Sequence, residues 1–152
     1  MRVSELMSRG VVTIGASDTC HEAMVRMVSH RTRHLPVIGE RGGLDGIVTD
    51  RDLRHYLFRP GVFEEVGRVS LEVLLRRVPV DQIMSAPVIH VDPAVDVEAA
   101  AELMSQHRVG SVPVVDAGRV VGILTETDLL RHVVRTETGG SELLEDIVVP
   151  YP

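Results

Sequence analysis

The sequence predicts an α/β fold in which two copies of one β-α-β-β-α unit pack about a pseudo-twofold axis. Three observations predict it. First, four blocks recur in the same order. Val3-Ser-Glu-Leu-Met-Ser8 returns as Val80-Asp-Gln-Ile-Met-Ser85, His30-Arg31 as His107-Arg108, and Leu35-Pro-Val-Ile38 as Val112-Pro-Val-Val115, each 77 residues on. Gly46-Ile-Val-Thr-Asp-Arg-Asp-Leu53 returns as Gly122-Ile-Leu-Thr-Glu-Thr-Asp-Leu129, 76 residues on, so one residue is lost in the turn between the last two blocks. Second, Val- and Ile-rich runs of strand length alternate with Ala-, Leu- and Met-bearing stretches at helical spacing. Third, aromatic residues make up only 3% of the chain and Trp is absent, so the core must come from Val, Leu, Ile, Met and Ala.

Each copy reads the same way. A short strand is expected at Val11–Ile14 and again at Val88–Val91. A helix follows, with apolar positions Cys20, Ala23, Met24, Met27 and Val28 in the first copy and Val97, Ala100, Ala101 and Met104 in the second. Asp92-Pro93 suits the start of that second helix. A strand then carries Leu35–Ile38 or Val112–Val115, a turn follows, and a third strand runs Leu44–Val48 or Val120–Leu124. The last helix begins near Asp50 or Glu126 and ends near Leu57 or Val134. A unit of this size buries too little surface to stand alone easily, so the two should share a core, with a cleft on the axis. The organisation predicted is repeat one at residues 1–57, a linker at 58–79, repeat two at 80–135 and a tail at 136–152. The linker should form one helix after the break at Pro60-Gly61. In the tail, Ser141–Asp146 suggests a capped helix and Ile147–Pro152 an extended end.

Bulk properties narrow the function. The chain has 152 residues, 44% hydrophobic and 25% charged, with a net charge of −6. That balance argues against a sequence-independent nucleic-acid binder, which needs a basic surface to displace counterions. The single cysteine, Cys20, excludes an internal disulfide and a cysteine-based zinc site, and reads as a small buried hydrophobe. No apolar run approaches signal-peptide or membrane-span length, so a cytoplasmic location away from membranes is expected. His30 and His34 stand four apart, but the helix should end before His34, and no metal is expected. No Ser-His-Asp grouping, P-loop or Gly-x-Gly-x-x-Gly appears, so no catalysis is expected.

The repeated Gly-hydrophobic-hydrophobic-Thr-x-x-Asp block carries the most chemistry. It places Thr49 and Asp52, then Thr125 and Asp128, between a strand and a helix. The simple reading is a capping box, with Thr as N-cap and the acid answering the backbone. The functional reading uses the same geometry. A helix N-terminus favours a phosphate, and a carboxylate one turn in can accept hydrogen bonds from ribose hydroxyls. The two are compatible.

With these blocks in view, both copies resemble CBS (cystathionine-β-synthase-type) domains over about residues 1–57 and 78–135. The order β-α-β-β-α, the proline-containing second strand and the Thr-x-x-Asp block carry the resemblance. The Arg33-His-Leu-Pro-Val phrasing is similar to bacterial stand-alone CBS pairs, including the acetoin-utilisation type. The resemblance implies one CBS-pair module that homodimerises, binds AMP, ADP, ATP or S-adenosylmethionine in its cleft, needs no further cofactor, and transmits ligand state to a regulated protein. It implies that Asp52 and Asp128 hold ribose hydroxyls and that Thr49 and Thr125 face phosphate or ribose. Backbone and apolar groups near Val11–Ile14 and Val88–Val91, Thr13, Ile14 and Val91 among them, would sandwich the adenine with Pro36 and Pro113. Copy one sets Arg31, Arg33, His34 and Arg51 near its cleft, whereas Gly110, Ser111 and Thr127 replace the last three in copy two. Arginine forks pair well with phosphate oxygens, so copy one should favour phosphorylated ligands. The alternatives are that Arg33 and Arg51 are solvated surface charges, and that the chain is a ligand-free dimerisation scaffold.

Overall fold

The computed structural model describes residues 1–138, so the tail expectations at Ser141–Asp146 and Ile147–Pro152 lie outside the described residues. The order of elements is α1 (Val3–Leu6), β1 (Ile14–Gly15), α2 (Cys20–His30), β2 (His34–Ile38), β3 (Leu44–Thr49), α3 (Asp50–Leu57), α4 (Pro60–Phe63), α5 (Leu71–Arg76), a 3-10 turn at Val80–Gln82, α6 (Val97–His107), β4 (Ser111–Asp116), β5 (Arg119–Thr125) and α7 (Glu126–Thr138). No helix among the described residues is long and apolar enough to cross a membrane.

Local chemistry sets the boundaries. Thr19 caps α2 by accepting the Glu22 N–H (3.2 Å), and Asp96 caps α6 by accepting that of Glu98 (2.9 Å). The second helix therefore starts at Val97 rather than at Asp92-Pro93, because the Asp92 carboxylate is used to close its own turn on the Ala94 N–H (2.8 Å). Strands β2 and β3 form an antiparallel hairpin, as do β4 and β5, and both carry a register shift at matched places, Val37/Ile38 and Val114/Val115. The shorter second turn is built on Ala117 (φ 48°) and Gly118 (φ 76°). Two successive positive φ values are what a tight two-residue hairpin requires.

The expected first strands are shorter than the sequence suggested. Ile14–Gly15 pairs parallel with Val37–Ile38, and in copy two only Val91 bridges Val114. The residues before them are drawn elsewhere. Ser8 exchanges two hydrogen bonds with Ile123 (2.9 and 3.0 Å), and Ser85 exchanges two with Ile47 (2.9 and 3.0 Å). Each repeat therefore lays its opening segment along the third strand of the other. The cores follow this exchange. Val80 and Met84 pack with Ile14, Leu35, Val37 and Val48, while Val3 and Met7 pack with Val112, Val114 and Leu124. Met7 lies over Gly122 and Met84 over Gly46, where a Cβ would collide with the thioether and reach 3.1 Å from the Ser8 or Ser85 carbonyl oxygen.

The linker departs from the single helix expected. It forms two short helices, and of its apolar residues only Leu74, Leu75 and Val78 are buried. Gly67 interrupts the pattern and Ser70 caps α5 through the Val73 N–H (3.2 Å), so the helix restarts instead of continuing. On α2, Val28 stands exposed although it shares the apolar spacing, because the core-facing stripe is filled by Cys20, Ala23 and Met27. Cys20 is fully buried, and burial, aided by Asp81, raises its thiol pKa to about 11.

Gly122→Val should lower stability by about 1–3 kcal/mol, the usual cost of overpacking, because Met7 and the Ser8 carbonyl occupy the space a side chain needs. Urea unfolding checks this; a variant as stable as the parent would show that the crossing segment shifts freely.

Candidate functional site

Both Thr-x-x-Asp blocks form reciprocal caps. The extended end of β3 leaves Thr49 non-helical, and its hydroxyl accepts the Asp52 N–H (3.3 Å). Asp52 Oδ2 accepts the Thr49 N–H (2.8 Å) and hydroxyl (3.1 Å). At α7, Asp128 Oδ2 accepts the Thr125 N–H and hydroxyl, both at 3.0 Å, and Thr125 accepts the Asp128 N–H (3.3 Å). One carboxylate oxygen thus holds each helix start. The other oxygen differs between copies. Asp128 Oδ1 lies 3.4 Å from the Ser8 hydroxyl, whereas Asp52 Oδ1 makes no hydrogen bond among the described residues.

Asp52 faces a cleft of about 440 Å³ between the repeats. Arg33, His34, Thr49 and Arg51 line it from copy one. Copy two contributes Pro87, Val88 and Ile89 from its crossing segment, and Arg108, Val109 and Glu126 from around β4 and α7. The Arg54 guanidinium is tied to Asp50 (3.4 Å), while Arg33, Arg51 and Arg108 enter no ion pair among the described residues. Arg51 and Arg108 also border an adjoining hollow of about 650 Å³ next to Met104 and Leu129. Three uncommitted guanidinium groups beside a helix N-terminus suit an anion.

His34 stands where the repeats meet. Gly110 provides its space, since a Cβ there would come 3.3 Å from His34 Cε1. Its Nδ1 is buried without a hydrogen-bond partner among the described residues. Burial holds the His34 pKa below its ordinary 6.5, against the opposing pull of the Asp50, Glu126 and Asp52 carboxylates, with Arg33 lowering it further.

Of the residues expected at the site, Arg33, His34, Thr49, Arg51 and Asp52 come together in this cleft. Arg31 does not line it; the matching Arg108 of copy two does. Thr125 and Asp128 lie at the matched junction, beside Ser8. Of the residues expected around the adenine, Ile14 and Val91 are buried in the two cores. Pro36 and Pro113 are also fully buried but on the strand face opposite the core residues, where Pro36 pairs with the cleft-lining Ile47. Thr13 is tied through its carbonyl to the Arg26 guanidinium (2.6 Å). Val88 and Ile89, from the expected Val88–Val91 stretch, supply the cleft's apolar wall together with Ile47 and Val109. The sequence reading missed Arg108 and Glu126 as neighbours of Asp52. The repeated His-Arg pair was a signal for the first, but nothing local tells which repeat's cleft it serves.

Comparison with known proteins bears on the family and the fold. The family model of the CBS domain matches residues 3–59 and 80–135. The CBS domain-containing protein YhcV of Bacillus subtilis is 30% identical over 93% of this chain and 91% of its own. The CBS domain pair of protein MJ0100, solved with 5′-methylthioadenosine and S-adenosyl-L-methionine, superposes with a TM-score of 0.72 at 27% identity, covering 90% of this chain and 98% of that one. CBSX2, solved with AMP, superposes with a TM-score of 0.71 at 25% identity, covering 89% and 97%.

The His34 environment has a pH signature. Its folded pKa lies below the 6.5 of the exposed ring, so on acidification the unfolded chain takes up a proton that the folded one refuses. Stability should fall as pH drops below about 6.5. His34→Ser, matching Ser111 of copy two, should lose less between pH 7 and 5; identical pH dependence in urea unfolding would contradict the assignment.

Proposed function

The chain belongs to the CBS-domain family as a tandem pair, and on that premise we propose that it is a non-catalytic regulatory module that binds an adenosyl nucleotide in the Asp52 cleft. The carrying observation is the divided Asp52 carboxylate. Oδ2 is consumed by the cap, and Oδ1 is left in a cleft that both repeats line. A carboxylate oxygen with spare lone pairs accepts from a ribose hydroxyl. The phosphate lies at the start of α3 between Arg33 and Arg51, where dipole and guanidinium groups add. The base rests on the apolar wall of Ile47, Val88 and Ile89. AMP, ADP or ATP fits that charge best. The Asp128 junction, with Gly110, Ser111 and Thr127 in place of the cations, suits a less anionic compound such as S-adenosylmethionine.

Because the ligand touches both repeats, it can bias their packing, and a partner that prefers one arrangement then senses it. The module acts as a homodimer. Supporting this, Leu130 (67% exposed) and Val133 (48%) stand one turn apart on α7, and adjacent apolar exposure of this kind favours a contact surface. Leu130→Glu with Val133→Glu should shift sedimentation from dimer to monomer; a monomeric parent would remove the dimer from the proposal.

Calorimetric titration with AMP, ADP, ATP and S-adenosylmethionine tests ligand binding. In Asp52→Asn the amide oxygen can keep the cap, which turns the NH2 toward the ligand, where it cannot accept a hydrogen bond. Affinity should fall about tenfold or more while stability changes by less than about 1 kcal/mol. A ligand-free scaffold would bind none of the four at millimolar concentration.

A further inference from the structure

The two arginines of the repeated His-Arg pair share an unusual backbone. Arg31 (φ 51°) and Arg108 (φ 53°) both end their helices in the left-handed conformation. Thr32 N–H then reaches back to the Met27 carbonyl, and Val109 N–H to that of Met104, both at 3.0 Å. This is the helix ending that normally takes glycine, because a Cβ strains it. A cation near a helix C-terminus gains from the dipole, but His107 already supplies a basic group in the last turn of α6. At Arg108 there is a further circumstance. Its side chain lines the Asp52 cleft from the opposite repeat, borders the adjoining hollow with Arg51, and enters no ion pair among the described residues.

We infer that Arg108 is a specificity residue contributed across the repeat interface, reading the phosphates of a nucleotide whose ribose is held by Asp52. This rests on the nucleotide reading above and adds to it the residue that separates phosphorylated from unphosphorylated adenosine compounds. Arg33 and Arg51 come from the same repeat as Asp52 and would bind an anion even if the repeats moved apart. Arg108 reaches the phosphates only while the two repeats stay docked, so its contact couples phosphate recognition to their packing.

The test uses the full chain with ADP and adenosine as probes, titrated against the parent, Arg108→Gly, Arg108→Lys and Arg31→Gly. Both glycine variants should melt about 1–3 °C higher, since each relieves a strained helix end. Arg108→Gly should bind ADP about tenfold more weakly, as expected for losing a charged hydrogen-bond donor, and adenosine as well as the parent does. Arg108→Lys should recover part of the ADP affinity without the gain in melting temperature. Arg31→Gly should leave ADP binding in the Asp52 cleft unaltered. Equal losses for ADP and adenosine, or a lowered melting temperature in Arg108→Gly, would assign Arg108 to the helix end and overturn the inference. Unchanged ADP binding in Arg108→Gly would overturn it while leaving the nucleotide reading intact. A parent that binds neither probe would overturn both.

Discussion

The structure depends on a backbone exchange. Ser8 pairs with Ile123 and Ser85 pairs with Ile47, so each repeat carries a strip of its twin on its third strand. Both exchanges require a bare backbone beneath the methionine that precedes the serine, and Gly122 and Gly46 supply it. Without these crossings the two hairpins would be separate small units, each with too little interior to stay folded. With them, Val3 is fully buried in the second core and Val80 in the first. The same crossing brings Pro87, Val88 and Ile89 over to face Asp52. The cleft is thus a product of the interlock rather than a property of either repeat.

Duplication made two similar junctions, and substitution then made them unlike. Both keep the reciprocal threonine–aspartate cap at nearly the same distances. Around that constant frame the charges diverge: Arg33, His34 and Arg51 stand where the other copy has Gly110, Ser111 and Thr127. The two changes at the interface are linked by sterics. Gly110 is what lets the His34 ring lie between the repeats, so a larger residue there would force the ring to give way. The frame serves folding in both copies, and the periphery decides what each junction recognises.

Much of this was legible in the sequence, for physical reasons that differ by residue. Thr49 and Asp52 could be read because a cap is local: three residues of spacing and a strand before them determine the contact. The hairpins were legible through their repeated prolines and glycines. The placement of Ile14 and Val91 was not, because an apolar residue on a short strand fits either a core or a ligand slot, and only the third dimension chooses. Arg108 escaped for a stronger reason. Its neighbour Asp52 is 56 residues away in sequence, brought close by a crossing that leaves no periodic trace. The linker misled because its valines keep helical spacing while Gly67 and Ser70 divide it.

The interlock also orders events during synthesis. The first core draws on residues 12–84, a continuous stretch that can collapse as soon as it leaves the ribosome. The second core cannot close until its hairpin through Leu124 has been made, yet it needs Val3 and Met7, which precede the whole first core in sequence. Those residues must therefore wait, unsheltered, until the second repeat provides their berth. Non-local closure of this sort slows folding and leaves apolar surface uncovered meanwhile. A brief helix holding Val3 and Leu6, with Met7 just after it, is a small exposure to carry through that wait.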